Sequence, residues 1–197
     1  MKNKIILLLS VLLSVANAAN IAYVAKVGPG STVAVGAGKQ WPTTRFVAGS
    51  GDSAGCITDN LTGLMWSKNA SLLGTGTWGS SATSGTAQYK IAQMNNTSGA
   101  VGYHLCGYSD WRLPTVNELA SLINYAVIPT GSTPAVWLTT QGFVNVQVSN
   151  PHWSSIYFTG NTQDKTAIFV FFNTSSSPVG NNSITTLNYV WAVRGGR

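Results

Sequence analysis

Few residues of this 197-residue chain have side chains suited to catalysis or metal binding. The chain has two cysteines, Cys56 and Cys106, and two histidines, His104 and His152. A metal site or a nucleophilic thiol needs close His or Cys partners, and the one such neighbour near Cys106 in the sequence is His104. A Ser-His-Asp triad is formally available to any serine-rich chain, but no catalytic set stands out. The sequence therefore predicts no catalytic residue, no metal site and no cofactor.

The carboxylates are equally scarce. They are Asp52, Asp59, Asp110, Glu118 and Asp164. Asp59 and Asp110 lie in turn sequences, where an aspartate commonly accepts hydrogen bonds from backbone amides. Glu118 follows Thr115 by three residues, which is the spacing of a helix capping box. These structural roles leave no pair of carboxylates for hydrolysis of a glycosidic bond.

The amino terminus has the pattern of a secretory signal peptide. Lys2 and Lys4 precede an apolar run over residues 5–15, and the small residues of Ala16-Asn17-Ala18 follow it. The run is shorter than the roughly 20 residues that cross a bilayer. We therefore predict a cleaved leader over residues 1–18 and no transmembrane segment after its removal. The mature protein is expected to be secreted, periplasmic or on the outer cell surface.

The composition agrees with export. An exported chain meets an oxidising environment, so Cys56 and Cys106 are expected to form one disulfide. The 20 aromatic residues (7 Trp, 7 Tyr and 6 Phe) argue against disorder. Loss of Lys2 and Lys4 leaves 9 of the 11 basic residues against 5 acidic ones, a net charge of +4. Because the basic residues form no run, nucleic-acid binding is not expected.

The hydrophobic pattern of the first half predicts a hairpin and two helices. Over residues 56–66, apolar residues flank a polar stretch that contains Asn and Gly. This pattern is typical of a strand, a turn and a second strand. The next apolar residues with helical spacing are Ala87, Ile91 and Met94. The capping box predicts a second helix over residues 116–125. The Gly/Ala-rich segment 19–40 is either a pair of strands or a loosely held arm.

The hydrophobic pattern of the second half of the chain predicts three strands. Their expected ranges are 153–158, 167–172 and 187–193. The second of these is apolar on both faces, as a central strand is. Helices in the first half with strands around them indicate an α+β domain.

Several strings together resemble the C-terminal domain family of Legionella collagen-like adhesins. They are DNLTGLMW at 59–66, GYSDWRLPT at 107–115 with Glu118-Leu119, WSS at 153–155 and VWAVRGG at 190–196. The resemblance covers residues 41–197. It implies a C-type-lectin-like α+β fold, with two short helices packed on a small, mostly antiparallel sheet system with long loops. It also implies surface adhesion, with sulfated glycosaminoglycans as the ligand class.

This chain departs from that family in two respects. It lacks a collagen-like Gly-X-Y tract, which in the namesake presents the domain. The calcium motifs of C-type lectins are not recognisable either, so sugar binding is expected to be independent of calcium. The related formylglycine-generating enzymes suggest Cys56 and Cys106 as a reactive pair, an alternative to the structural disulfide.

The family motif residues are interpreted mainly as determinants of folding. They are Asp59, Trp66, Asp110, Trp111, Thr115, Glu118, Trp153 and Trp191. Large aromatics of this kind are usually buried. Arg112 either pairs with an internal carboxylate, which we favour, or faces an anionic ligand.

Three functions remain as hypotheses. The preferred one is a binding module for an extracellular polysaccharide or host glycan of the anionic class, weak as a monomer and effective as a homo-oligomer or at high density. Its candidate contacts are Lys68, Lys90, Lys165, Arg194, Arg197 and Arg112. Platforms for stacking on neutral sugars would be Trp78, Trp137 and Tyr157. The alternatives are a structural subunit of a surface fibre, joined through residues 19–40, and a thiol-dependent enzyme.

Overall fold

The computed structural model of the protein describes Pro42 and residues 44–158, 165–173 and 178–195. The predicted leader, segment 19–40 and Arg197 lie outside the described residues. The strands are β1 (Phe46–Ala48), β2 (Cys56–Asp59), β3 (Leu64–Ser67), β4 (Thr75–Gly76), β5 (His152–Phe158), β6 (Thr166–Val170), β7 (Val179–Ser183), β8 (Asn188–Tyr189) and β9 (Val193–Gly195). The helices are α1 (Ala87–Asn96), α2 (Val116–Ser121) and α3 (Pro134–Thr140), with 3-10 turns at Gly51–Ser53, Leu105–Gly107 and Tyr125–Thr130. The fold is α+β, which confirms the predicted class.

The first sheet has the order β1-β2-β3-β9 and is antiparallel throughout. Its centre is the predicted hairpin, in which Cys56 pairs with Ser67 and Asp59 pairs with Leu64. The turn ends at Gly63, whose φ of 73° lies in the left-handed region that glycine adopts without strain. The hairpin prediction is confirmed.

The second sheet has the order β4-β8-β5-β6-β7. Strand β6 has a partner on each side, so the prediction of a central strand here is confirmed. Strand β7 was not predicted, because its sequence VGNNS is polar and carries no apolar alternation. It forms an edge whose backbone pairs with β6 while alternate side chains remain exposed.

The two predicted helices are present. In α1, the buried residues are Ala87, Ile91 and Met94. Helix α2 is shorter than predicted, since it ends at Ser121 and a 3-10 turn follows at Tyr125–Thr130. Its capping box forms as expected: the amide of Glu118 donates to the Thr115 hydroxyl, and the amide of Thr115 donates to the Glu118 carboxylate.

The prediction of two helices is wrong in number, because the described residues contain a third α-helix. No helix was predicted at Pro134. Pro134 is instead in the first turn of α3. Backbone N–H groups there have no acceptor within the helix, so the missing N–H of proline costs no hydrogen bond. The Thr133 hydroxyl accepts from the amide of Val136 and caps this helix.

The core consists of two groups of buried side chains. One surrounds Trp66 and Trp191, whose rings lie 5.2 Å apart, and the other includes Trp111 and Trp153. The buried indole N–H groups of Trp153 and Trp191 donate to the backbone carbonyls of Gly76 and Ser67, each at 2.8 Å. The family motif tryptophans are therefore buried, as expected from the sequence.

The predicted disulfide between Cys56 and Cys106 is confirmed. It joins strand β2 to the Leu105–Gly107 turn, with a distance of 6.5 Å between the Cα atoms. Cys106 has a positive φ of 57°, an unusual conformation for a residue other than glycine. The cross-link fixes this turn beside the segment that contains Trp111.

The cap of α2 supports a first prediction. Replacing Thr115 by alanine is expected to lower the free energy of unfolding by about 1 kcal/mol, because the amide of Glu118 loses its acceptor. Urea denaturation of the oxidised mature protein measures the change. Thr83→Ala, in an exposed loop, is the matched control, with an expected change within about 0.5 kcal/mol. Equal stabilities for the two variants would contradict the assigned role of the cap.

Candidate functional site

The described residues form a groove of about 480 Å³. It lies where helix α1, the segment leading into helix α2 and strand β5 meet. It is lined by Trp78, Gln88, Ile91, Trp111, Arg112, Leu113, Thr115 and Ser155. Four of these residues are apolar and four are polar, and small-ligand sites commonly combine apolar surface with placed polar groups.

An irregularity in strand β5 shapes one wall of this groove. Trp153 pairs with Phe169 and Tyr157 pairs with Ala167, so the intervening stretch of β5 bulges out of register with β6. The amide of Ser155 donates to the carbonyl of Pro114 at 2.7 Å. The bulge thus leaves the β6 ladder and joins β5 to the segment before α2, as bulges near functional sites often do.

The indole of Trp78 is held by two contacts at the edge of the groove. Its Nε1 donates to the carbonyl of Ser154 at 2.9 Å, which is a group freed by the bulge. Its ring stacks on Tyr157, with centroids 5.2 Å apart and planes inclined by 22°. Both contacts restrict the orientation of the Trp78 ring before any ligand binds.

Trp111 forms part of the floor. It is 2% exposed, and its amide and carbonyl form reciprocal hydrogen bonds with the Asn95 side chain at 3.0 and 2.7 Å. Its indole Nε1 donates to the carbonyl of Leu105 at 3.2 Å. Helix α1 and the disulfide-linked turn therefore both position this residue.

Arg112 is the charged side chain at the groove, and it is extensively bonded. Nη1 donates to the carbonyl of Leu113 and to Glu118 Oε2, while Nη2 donates to Glu118 Oε1 and to the carbonyl of Gly195. Four of its five N–H groups are thus used within the chain. This arrangement matches the favoured structural interpretation of Arg112.

The ion pair changes the acidity of both partners. The hydrogen bond to Glu118 raises the pKa of the Arg112 guanidinium. Burial alone would raise the pKa of Glu118, but hydrogen bonds from Arg112 and Thr115 outweigh it and hold that pKa below its usual value. Both groups therefore stay charged near neutral pH and neutralise each other.

The other basic candidates are placed elsewhere. Arg194 donates to both oxygens of Asp110 and lies 3.6 Å from the centroid of the Tyr108 ring. The ammonium of Lys90 donates to the carbonyl of Leu73. Lys68 is half-buried and Lys165 is exposed. Arg197 lies outside the described residues. Among the described candidates, Arg112 is the one that lines the groove.

The structure separates the three candidate aromatic platforms. Trp78 lines the groove and Tyr157 stacks on it. Trp137 is only 9% exposed and packs on Phe46 in the core. Trp137 therefore offers little ring surface to a ligand.

Residues 51–55, GDSAG, have the spacing of a G-x-S-x-G nucleophile motif. In that motif the serine stands at a sharp turn from strand to helix. Here Ser53 ends a 3-10 turn between β1 and β2. In the part of the chain that the structure describes, neither His104 nor His152 forms a hydrogen bond with Ser53. The geometry of a Ser-His pair is not formed.

The three carboxylates considered for hydrolysis each pair with an arginine. Asp59 pairs with Arg45, Asp110 with Arg194 and Glu118 with Arg112. Over residues 44–158, 165–173 and 178–195, no group of three or more His, Cys, Asp or Glu side chains is placed to hold a metal ion.

Gln88 and Ser155 line the groove but were not predicted from the sequence as site residues. Gln88 follows Ala87 on helix α1, and its Oε1 accepts from the amide of Gly79. Ser155 was predicted only as part of a strand. Regular alternation places it on the same face as the buried Trp153, and the bulge instead exposes it. Arg45, the buried partner of Asp59, carried no signal in the sequence, since 14 residues separate the two.

The described residues form a small α+β domain with this groove on its surface. The sequence model of the Lcl C-terminal domain family matches residues 55–194, which is most of the chain. The protein belongs to the Lcl C-terminal domain family. A comparison with curated proteins returns no match. Among the helices that the structure describes, none has the length and hydropathy of a membrane span.

Proposed function

We propose that this protein is an exported, adhesin-like module that binds carbohydrate without calcium and without catalysis, and that the groove is its binding site. The observation that carries the proposal is the groove itself. Its volume of about 480 Å³ lies within the range of roughly 300–1,000 Å³ common for small-ligand sites. Family membership and the predicted leader support a role outside the cytoplasm.

The lining of the groove suits a sugar. A pyranose presents hydroxyl groups around its rim and patches of C–H on its faces. The groove offers the half-buried ring of Trp78 for those faces, and Gln88, Thr115 and Ser155 for the hydroxyls. A few polar groups among apolar ones are what fix the orientation of a bound small molecule.

Binding without chemistry is supported by the carboxylates. A hydrolase needs one carboxylic acid and one carboxylate beside the scissile bond. Asp59, Asp110 and Glu118 are each engaged by an arginine. A calcium-dependent lectin site would need several free carboxylates in one place, and the same three ion pairs oppose this.

A glycan array tests the proposal. Mature protein, residues 19–197, is displayed densely and probed with and without EDTA. We expect retention of a defined subset of glycans, unchanged by the chelator, and reduced retention for Ser155→Ala. Thr83→Ala, at an exposed position away from the groove lining, is the control. Retention that EDTA abolishes would contradict the calcium-independent mode, and retention of no glycan would contradict the function.

A further inference from the structure

We propose that the groove accepts an uncharged pyranose unit stacked against Trp78, and not a sulfated or carboxylated sugar. The inference rests on the proposed function and names the ligand class of the same site. It differs from the anionic class that the family resemblance implies.

The charge at the groove is already balanced. Arg112 is the one charged residue in the lining, and its two terminal nitrogens contact the two oxygens of Glu118 at 2.8 and 2.7 Å. Bidentate pairs of this kind are short and strong. A sulfate would have to displace Glu118 or use the Nε–H alone, and displacement would leave a partly buried carboxylate without its partner.

Arg194 and Lys90 do not supply the positive charge that an anionic sugar in the groove would need. Arg194 is held by Asp110 and by the Tyr108 ring, and Lys90 directs its ammonium to the carbonyl of Leu73. In the described residues no lysine lines the groove. An anionic sugar seated there would therefore lose its hydration without gaining a convergent set of positive charges.

The neutral groups, by contrast, are arranged for a sugar ring. Trp78 is fixed by Ser154 and by the Tyr157 ring, so little side-chain entropy remains to be lost when a ligand stacks on it. Gln88 is anchored through Oε1, which leaves its amide NH₂ to donate. The hydroxyl of Ser155 forms no hydrogen bond with another described residue and can donate or accept.

Paired probes test the assignment. Neutral disaccharides of glucose, galactose, mannose and N-acetylglucosamine are compared with their monosulfated counterparts, using saturation-transfer NMR and titration calorimetry on the mature protein. We expect a neutral disaccharide to bind with a Kd that changes less than about twofold between 0.1 and 1 M NaCl, since no ion pair is screened. Trp78→Ala is expected to weaken this binding by about tenfold or more.

Two further variants make the test specific. Ser155→Ala, which changes one exposed hydroxyl and no packing, is expected to weaken binding by roughly two- to tenfold even if Trp78→Ala fails to fold. Tyr125→Ala removes an aromatic ring that is 47% exposed outside the groove lining and is expected to change the Kd less than about twofold.

Three results would overturn the inference. In the first, the sulfated probes bind more tightly than the neutral ones, their binding depends steeply on salt, and neither Trp78→Ala nor Ser155→Ala changes it. Carbohydrate binding would then stand, but at a different, charged surface. In the second, a neutral disaccharide binds both variants with an unchanged Kd, which would place its site outside the groove. Retention of no glycan on the array and no binding in solution would overturn the proposed function together with the inference.

Discussion

Replacing Asp59 by alanine is expected to lower the free energy of unfolding by about 3–5 kcal/mol, the largest effect of any single ion-pair residue in the described chain. The side chains of Asp59 and Arg45 are both 0% exposed, and two hydrogen bonds of 2.9 and 2.7 Å join them. Removal of the carboxylate leaves a buried guanidinium without its counter-charge. The amide of Leu61 also loses the oxygen that accepts its hydrogen bond.

Urea denaturation of the oxidised mature protein measures the effect. Asp110→Ala is a matched control, since it also removes an aspartate from a two-bond pair with an arginine, but the Asp110 side chain is 61% exposed. Its expected change is within about 1 kcal/mol. The double variant Arg45→Met with Asp59→Leu is expected to be more stable than Asp59→Ala, because no charge stays buried. Equal losses for Asp59→Ala and Asp110→Ala would refute the argument.

Acidification is expected to destabilise the fold through His152. The imidazole is fully buried, and neither ring nitrogen has a hydrogen-bond partner in the described residues. The rings of Phe172, Tyr189 and Trp191 lie against it, with centroids 5.3–5.7 Å away. Burial lowers the pKa of His152 from 6.5 to about 3, because the charged form cannot be solvated there.

The direction of the pH effect follows from proton binding. Between pH 6.5 and pH 3 the unfolded chain binds a proton at His152 and the native state does not, so stability falls as the pH falls. Stability is lost progressively, by about 2 kcal/mol from pH 6.5 to 5 and by about 4 kcal/mol from pH 6.5 to 3. Glu118 adds to the loss only in the more acidic part of this range, since its pKa lies below the usual carboxylate value.

Urea denaturation at pH 6.5 and at pH 5 tests this prediction. His152→Leu removes the titrating group and keeps an apolar side chain of similar size among the aromatic rings. Its stability is expected to fall by about 2 kcal/mol less than that of the wild type between the two pH values. An identical fall in both proteins would show that His152 is not the group responsible.

Features with local causes were predictable from the sequence. The capping box needs only Thr115 and Glu118, three residues apart, and the β2–β3 hairpin needs only a polar turn between short apolar strands. Helix α1 follows from the spacing of Ala87, Ile91 and Met94. The disulfide followed from the count of cysteines and the predicted compartment. In each case the interacting residues are near in sequence or are unique in type.

Features that depend on distant partners were not predictable. Strand β7 owes its structure to pairing with β6, because its own polar sequence has no preference for a strand. Helix α3 was missed because the sequence does not say whether a proline ends one helix or begins the next. The partner of Asp59 could have been any of several arginines.

For the site, the sequence alone determined that Trp78, Trp111 and Arg112 are available as side chains. It also determined the capped helix on which Glu118 lies. Tertiary structure decided which of them meet. The bulge in β5 directs the Ser154 carbonyl to Trp78 and the Ser155 amide to Pro114, and no local pattern specifies those partners. The reason is physical: local hydrogen bonds and periodicity are set by neighbours in the chain, whereas the charge balance and shape of a groove are set by groups up to 83 residues apart, such as Arg112 and Gly195.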